Sequence, residues 1–148
     1  MKTILRLALL FVALAIPLAS ARAAGASASV QGILITASNE PGKTDARLAS
    51  YEPTLRRILR FQSYHYVGED RANLAVPESG NLALGDGHQL EVTTEHADGK
   101  SVQVKVRWTA GGRNLMNTGL TLRPGVPAVL GGPSTSNGEV YAVILIGR

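Results

Sequence analysis

The stretch QLEVTTEHADGKSVQVKVRWTA, residues 89–110, alternates apolar and polar side chains on both sides of a turn. From Gln89 to Glu95, Leu90 and Val92 point one way and Glu91, Thr93 and Glu95 the other. From Ser101 to Ala110, Val102, Val104, Val106 and Trp108 share a face, and Gln103, Lys105, Arg107 and Thr109 take the opposite one. A period of two belongs to a strand with one buried face. Asp98-Gly99 between the two runs is a favoured two-residue hairpin turn. The pair therefore predicts an antiparallel hairpin with Trp108 in a core.

The pattern extends in both directions. Gly111-Gly112 makes the next turn, and Asn114 to Leu122 returns with Leu120 and Leu122 alternating. Val126 to Leu130 reads as a short strand bounded by Pro124-Gly125 and Gly131-Gly132-Pro133, and Glu139 to Gly147 (EVYAVILIG) as an apolar central strand. Upstream, Asn73 to Leu84 reads as short strands broken by Pro77-Glu78-Ser79-Gly80. Ser63 to Val67 is rich in strand formers. Val30 to Ala37 (VQGILITA) is apolar enough to be buried on both faces. Residues 24–29 (AGASAS) are small and read as a flexible lead-in.

Thr44 to Phe61 is the one helical stretch. Asp45 suits the N-cap of a short turn, and Pro53 suits the first position of a helix. Leu55, Ile58 and Leu59 fall on one face of that helix, and Arg56, Arg57 and Arg60 on the other. Seven or eight strands with short connections predict a mainly β domain. Its form is an antiparallel β-sandwich or open barrel with one short helical insertion after the first strand.

The N-terminus predicts compartment. Lys2 and Arg6 precede an apolar run from Leu7 to Ile16, Pro17 ends it, and Ala21-Arg22-Ala23 offers a small-x-small cleavage site. Residues 1–23 thus read as a cleaved secretory signal peptide, with cleavage after Ala21 as the rival position. A run of about ten residues is half of what a spanning helix needs. The chain carries 15 Lys+Arg and 11 Asp+Glu, but Lys2, Arg6 and Arg22 leave with the leader, so residues 24–148 hold 12 cations against 11 acids, a net +1. A balance of that kind does not point to nucleic acid. There is no cysteine, hence no disulfide, thiol nucleophile or lipid attachment through cysteine. The 125 residues from Ala24 to Arg148 are one ordinary domain.

Candidate sites are few. Ala37 to Thr44 (ASNEPGKT) matches a relaxed phosphate-binding loop, in which Lys43 would meet phosphates and Thr44 a magnesium ion. Glu40 opposes phosphate in such a cradle and Pro41 lacks an amide donor, so a plain turn before a helix is expected and no nucleotide is implied. His88 and His96 flank one strand about 25 Å apart and cannot share a metal. His65 lies between Tyr64 and Tyr66, and all three histidines are expected to be isolated at or near the surface. No Gly-x-Ser-x-Gly elbow is present. Two constellations remain for ligand binding: Arg56, Arg57 and Arg60 for an anionic surface, and Tyr64 with Tyr66 as an aromatic platform for sugar rings. No metal or cofactor is implied.

Tyr51-Glu52-Pro53-Thr54-Leu55 with Phe61 and Tyr64, then Lys105-Val106-Arg107-Trp108, then Leu122 to Pro133 (LRPGVPAVLGGP) before a final apolar strand resemble a family of small exported bacterial proteins of unassigned function. Arg123 to Pro133 is also similar to the late Gly-Gly segment of outer-membrane secretins, over about a dozen residues, and implies no chemistry.

The reading expected is an exported, non-enzymatic binding or structural module that contacts another envelope protein and has no stable membrane insertion after cleavage. A carbohydrate- or surface-binding module built on Tyr64 and Tyr66 is one alternative, requiring both rings exposed and coplanar. A small hydrolase is the other, requiring Asp86, His88 or His96 to meet another acid or a serine.

Overall fold

The computed structural model describes residues 27–148, so the predicted leader and residues 24–26 lie outside the described residues. Eight strands follow in order: β1 (Ser27–Ser38), β2 (Ser63–Ala75), β3 (Glu78–Gly85), β4 (His88–Ala97), β5 (Val102–Ala110), β6 (Arg113–Leu122), β7 (Ala128–Ser134) and β8 (Val140–Gly147). A 3₁₀ turn (Ala46–Leu48) and one helix, α1 (Glu52–Leu59), lie between β1 and β2. The strands form two four-stranded sheets, β2-β1-β8-β7 and β3-β4-β5-β6, and all of these pairings are antiparallel. Every strand lies beside its sequence neighbour, and β8 returns to β1, so the chain winds once around its core. The ladder is interrupted between β2 and β3 and between β6 and β7. The result is sandwich-like rather than a closed barrel.

Two apolar layers explain the sequence pattern. Between the sheets lie Val30, Leu34, Leu82, Leu84, Leu90, Val92, Val104, Val106, Trp108, Leu122, Val143 and Leu145. On the outer side of the first sheet, Ile33, Ile35, Ala142, Ile144 and Ile146 pack with Leu48, Leu55 and Tyr64 under the helical insertion. β1 and β8 are central strands covered on both faces, which is why they read as unbroken apolar runs, whereas β3, β4 and β5 alternate because one face meets solvent.

The local geometry corrects several expectations. Asp45 does cap the 3₁₀ turn, accepting from the Arg47 N–H at 3.0 Å. Pro53 sits second in α1, after Glu52. Ile58, expected inward, is 48% exposed. The short helix is seated through the fully buried Leu55. Leu59 lies about 40° around the helix from it and Ile58 about 60° on the other flank. Ser27–Ser29, expected in a loose lead-in, belong to β1, paired with Asn73–Ala75 and with Arg148, because the long β2 and the end of β8 both offer them partners. The break expected over Pro77–Gly80 is confined to Val76-Pro77. There the Thr94 hydroxyl donates to Ala75 O at 2.6 Å and accepts from the Glu78 N–H at 2.9 Å, and that bridging lets β3 begin at Glu78.

Turn chemistry is also redistributed. Asp98-Gly99 is part of a four-residue loop, in which the Asp98 carboxylate accepts from the N–H groups of Lys100 and Ser101, both at 2.8 Å. The two-residue turns with positive φ at both positions are Asp86-Gly87 (51° and 75°) and Gly111-Gly112 (56° and 79°). Val126, expected in a strand, is 55% exposed in the crossover, and β7 instead runs through Gly131-Gly132-Pro133. The reason is Trp108. A Cβ on Gly132 would overlap the indole ring, so only glycine lets β7 pass there.

Gly132→Ala is expected to destabilise the domain by about 1–3 kcal/mol, the usual cost of overpacking. Gly99→Ala, where an added Cβ meets nothing within 4 Å, is expected to stay within about 0.5 kcal/mol. Urea unfolding of the two variants side by side checks this, and equal losses would contradict the packing argument.

Candidate functional site

The residues singled out from the sequence scatter. Tyr64 is fully buried under the helical insertion, and its hydroxyl donates to Phe61 O at 3.2 Å and accepts from the Phe61 N–H at 3.1 Å. Burial holds that phenol above the ordinary tyrosine value. Tyr66 is half-buried, and the Arg47 guanidinium lies 4.0 Å from the centre of its ring. With one ring in the core and the other beneath a cation, the two tyrosines make no coplanar platform, which corrects that expectation. The physical reason is that both point to the same side of β2, the side that the insertion covers.

The three arginines have different fates. Arg56 is engaged, 2.7 Å from the Glu52 carboxylate one turn away and donating to Gln62 O at 2.9 Å, where it ties the helix to the start of β2. Arg57 is exposed, and Arg60 is exposed in a left-handed conformation (φ 57°) that ends the helix. The lysine-threonine stretch is a turn, as expected. Ser63 Oγ donates to Glu40 O at 3.2 Å, and the 3₁₀ turn after Thr44 has its N-terminus capped by the Asp45 carboxylate, an anion where phosphate would have to sit.

His88 departs from expectation. It is buried, and the Trp108 Nε1–H donates to its Nδ1 at 2.9 Å. The Tyr141 ring packs 4.4 Å from it, centre to centre. Cross-strand geometry brings these groups together. His88 opens β4 after the Asp86-Gly87 turn, Trp108 lies near the end of β5, and Tyr141 is the second residue of β8. Because Nδ1 accepts a hydrogen bond, the ring is neutral with its proton on Nε2. Burial lowers the His88 pKa, and the nearby Asp86 carboxylate opposes that only in part. Burial together with the Asp86 charge raises the Tyr141 phenol. His88 thus meets two aromatic rings, with the Asp86 carboxylate close by. His65 and His96 are exposed, on β2 and β4. Among the described residues no three His, Asp or Glu side chains converge as a metal set would, and no helix is long and apolar enough to cross a membrane.

The side chains that do converge lie on the outer face of the second sheet. Register places Asn81, Glu91, Arg107 and Asn117 in one row across β3 to β6, and Ser79, Thr93, Lys105 and Gly119 in the next. Arg107 reaches Glu91 at 2.9 Å, and Lys105 lies 3.5 Å from Glu95. Gly119 leaves the end of the lysine row empty. A trough of about 390 Å³ opens there, walled by Glu91, Lys105, Arg107 and Asn117. It continues into a hollow of about 270 Å³ beside Gln103 and Thr121.

This trough borders an open edge. β2 and β3 close against each other, with the Ala83 N–H donating to the Asp70 carboxylate at 3.0 Å. β7 is interrupted by Pro133 and by a register shift between Gly131 and Ser134. β6 has no proline, and its one register shift lies near its start, at Leu115. It is ten residues long, and Arg113 at its start is its one charge. On this edge Leu115, Met116 and Leu120 pack on the core yet stay partly exposed. Leu115 is the extra residue of a bulge between the Trp108–Met116 and Thr109–Asn114 pairs.

The outward parity of Lys105 and Arg107 was legible in the sequence, but the trough was not. The available signal was Gly119 inside an alternating strand, a position that often marks close approach or a vacancy. Comparisons with family models, with curated proteins and with solved structures return no match.

The buried histidine makes stability depend on pH. His88 has a folded-state pKa below the unfolded value of 6.5, so on acidification the unfolded chain takes up the proton first. Stability is complete above that pH, falls as the pH drops through it, and levels off below the folded value. Thermal melts followed by Trp108 emission are expected to show a midpoint that declines from about pH 7 towards pH 5. His88→Gln should flatten that decline, and an unchanged slope would refute the assignment.

Proposed function

We propose that the domain is an exported binding module of the bacterial envelope that contacts another protein by accepting an extended segment beside β6. The observation that carries this reading is the β6 edge. Native sheets protect their edges with proline, charge, bulges or a covering element, because unpaired N–H and C=O groups recruit strands. Three of the four edges here are treated in that way. β6 carries Arg113 and a bulge at Leu115 only at its start; from Met116 to Leu122 its ladder has no such device and flanks the half-buried Met116 and Leu120. A strand laid beside it would extend the second sheet, satisfy its backbone and cover those side chains, as in strand addition generally.

Export is supported by the leader pattern at residues 1–23. N-terminal sequencing of the protein recovered outside the cytoplasm is expected to begin at Ala24, and recovery with Met1 intact would contradict processing.

The docking reading is tested in the native envelope. A photo-crosslinking residue at Thr121, on β6, is expected to give one adduct of defined mass, and the same probe at Ser79, on the closed β3 edge, none. Asn117→Lys, a solvent-facing charge on the open edge, should leave the melting midpoint within about 2 °C, as expected of surface substitutions, while suppressing the Thr121 adduct. Equal adduct patterns at Thr121 and Ser79, or no adduct at Thr121, would refute it.

A further inference from the structure

We propose that the segment accepted by β6 carries an acidic side chain that sits over Gly119 against Lys105 and Arg107; this rests on the strand-addition reading above. The charges on the outer face are ordered by strand. The acids Glu91 and Glu95 are on β4, the cations Lys105 and Arg107 are on β5, and β6 contributes only Asn117, Gly119 and Thr121. Successive strands are about 4.8 Å apart. A group arriving from the open edge therefore meets the cations one strand nearer than their acidic partners. Lys105 and Arg107 are two residues apart on one face, about 7 Å along the strand.

Both cations remain available to a newcomer. The Lys105 side chain is 75% exposed and its contact with Glu95 is 3.5 Å, while Arg107 is half-exposed and holds Glu91 through one guanidinium nitrogen. Between the cation row and the vacant strand position stands Gly119, directly opposite Lys105. Any longer residue there would fill the passage. A glycine lets a long acidic side chain from the added strand cross β6 and meet the ammonium group above it. Gly119 has no positive φ that would demand glycine, and an added Cβ would meet only the Val104 carbonyl at 3.9 Å. The backbone therefore does not account for glycine at this position.

The same ordering selects against a second copy as occupant. A neighbouring β6 brings no acid, only Arg113, with Arg123 just beyond its end. The fitting partner is an extended segment of a different chain, apolar on the inward positions that face Met116 and Leu120 and acidic at one outward position.

Fluorescence anisotropy with labelled nine-residue peptides tests this on the exported protein. The peptides alternate Thr and Val, with Glu, Gln or Lys at the central outward position. The Glu peptide is expected to bind roughly fivefold tighter than the Gln peptide at low salt, the upper range for exposed ion pairs, and the Lys peptide weakest. The preference should shrink in about 0.5 M salt through screening and disappear in Lys105→Gln, a variant on an exposed face whose melt reports its folding. Equal binding of the three peptides, or a Glu preference that persists in Lys105→Gln, overturns the acidic assignment and leaves strand addition standing. No binding of any peptide, or a concentration-dependent dimer that excludes all three, overturns strand addition itself.

Discussion

The contact of the Trp108 indole with the backbone at Gly132 governs how the two sheets meet. Trp108 is the single tryptophan of the chain and is fully buried between the sheets. A ring of this size removes about 200 Å² from water, on the order of 5 kcal/mol, a large part of the net stability of a domain this size. Its bulk fills the space on the β6–β7 side, where the ladder is interrupted, and forces glycine at 132. Its polar end would be costly to bury alone. The hydrogen bond to His88 Nδ1 removes that cost and ties β4 to β5 at the end where Tyr141 enters β8.

The helical insertion solves a second burial problem. β1 and β8 are apolar on both faces, so the first sheet needs a cover on its outer side. Leu48, Leu55 and Tyr64 provide it, and the pins around them are local: Asp45 with Arg47, Arg56 with Glu52 and Gln62, and Tyr64 with Phe61. Arg47 and Asp45 hold each other in solvent, and that guanidinium keeps the Asp45 carboxyl down at about 2. Of the arginines and tyrosines that resembled a binding surface in the sequence, Arg56 and Tyr64 are fastenings of this lid.

With one sheet covered by the insertion, the second is left with a solvated outer face and one open edge. Its polar grid keeps opposite charges on adjacent strands, the arrangement that stabilises a sheet most simply. The vacancy at Gly119 and the open stretch of β6 from Met116 to Leu122 are the two departures from that economy, and they coincide.

Much of the architecture was legible because period-two alternation reports which face of a strand is buried, and residues 89–110 show it without interruption. Trp108 in the core, the apolar central strands and the helix after β1 all follow from burial, a property each residue carries in its own side chain. Most of what failed depended on partners distant in sequence. Ser27–Ser29 became strand because β2 and β8 reach them, Ile58 was left out because a short helix seats on one line of residues, and Pro77–Gly80 was bridged by Thr94 from the next strand. The site was hidden for the same reason. The sequence by itself determined the β class and the two-faced and one-faced strands. Only the tertiary structure decided that Tyr64 is core, that His88 and Trp108 share a proton, and that Gly119 lies beside two cations on an open edge, because register and edge position are properties of paired strands and not of any one of them.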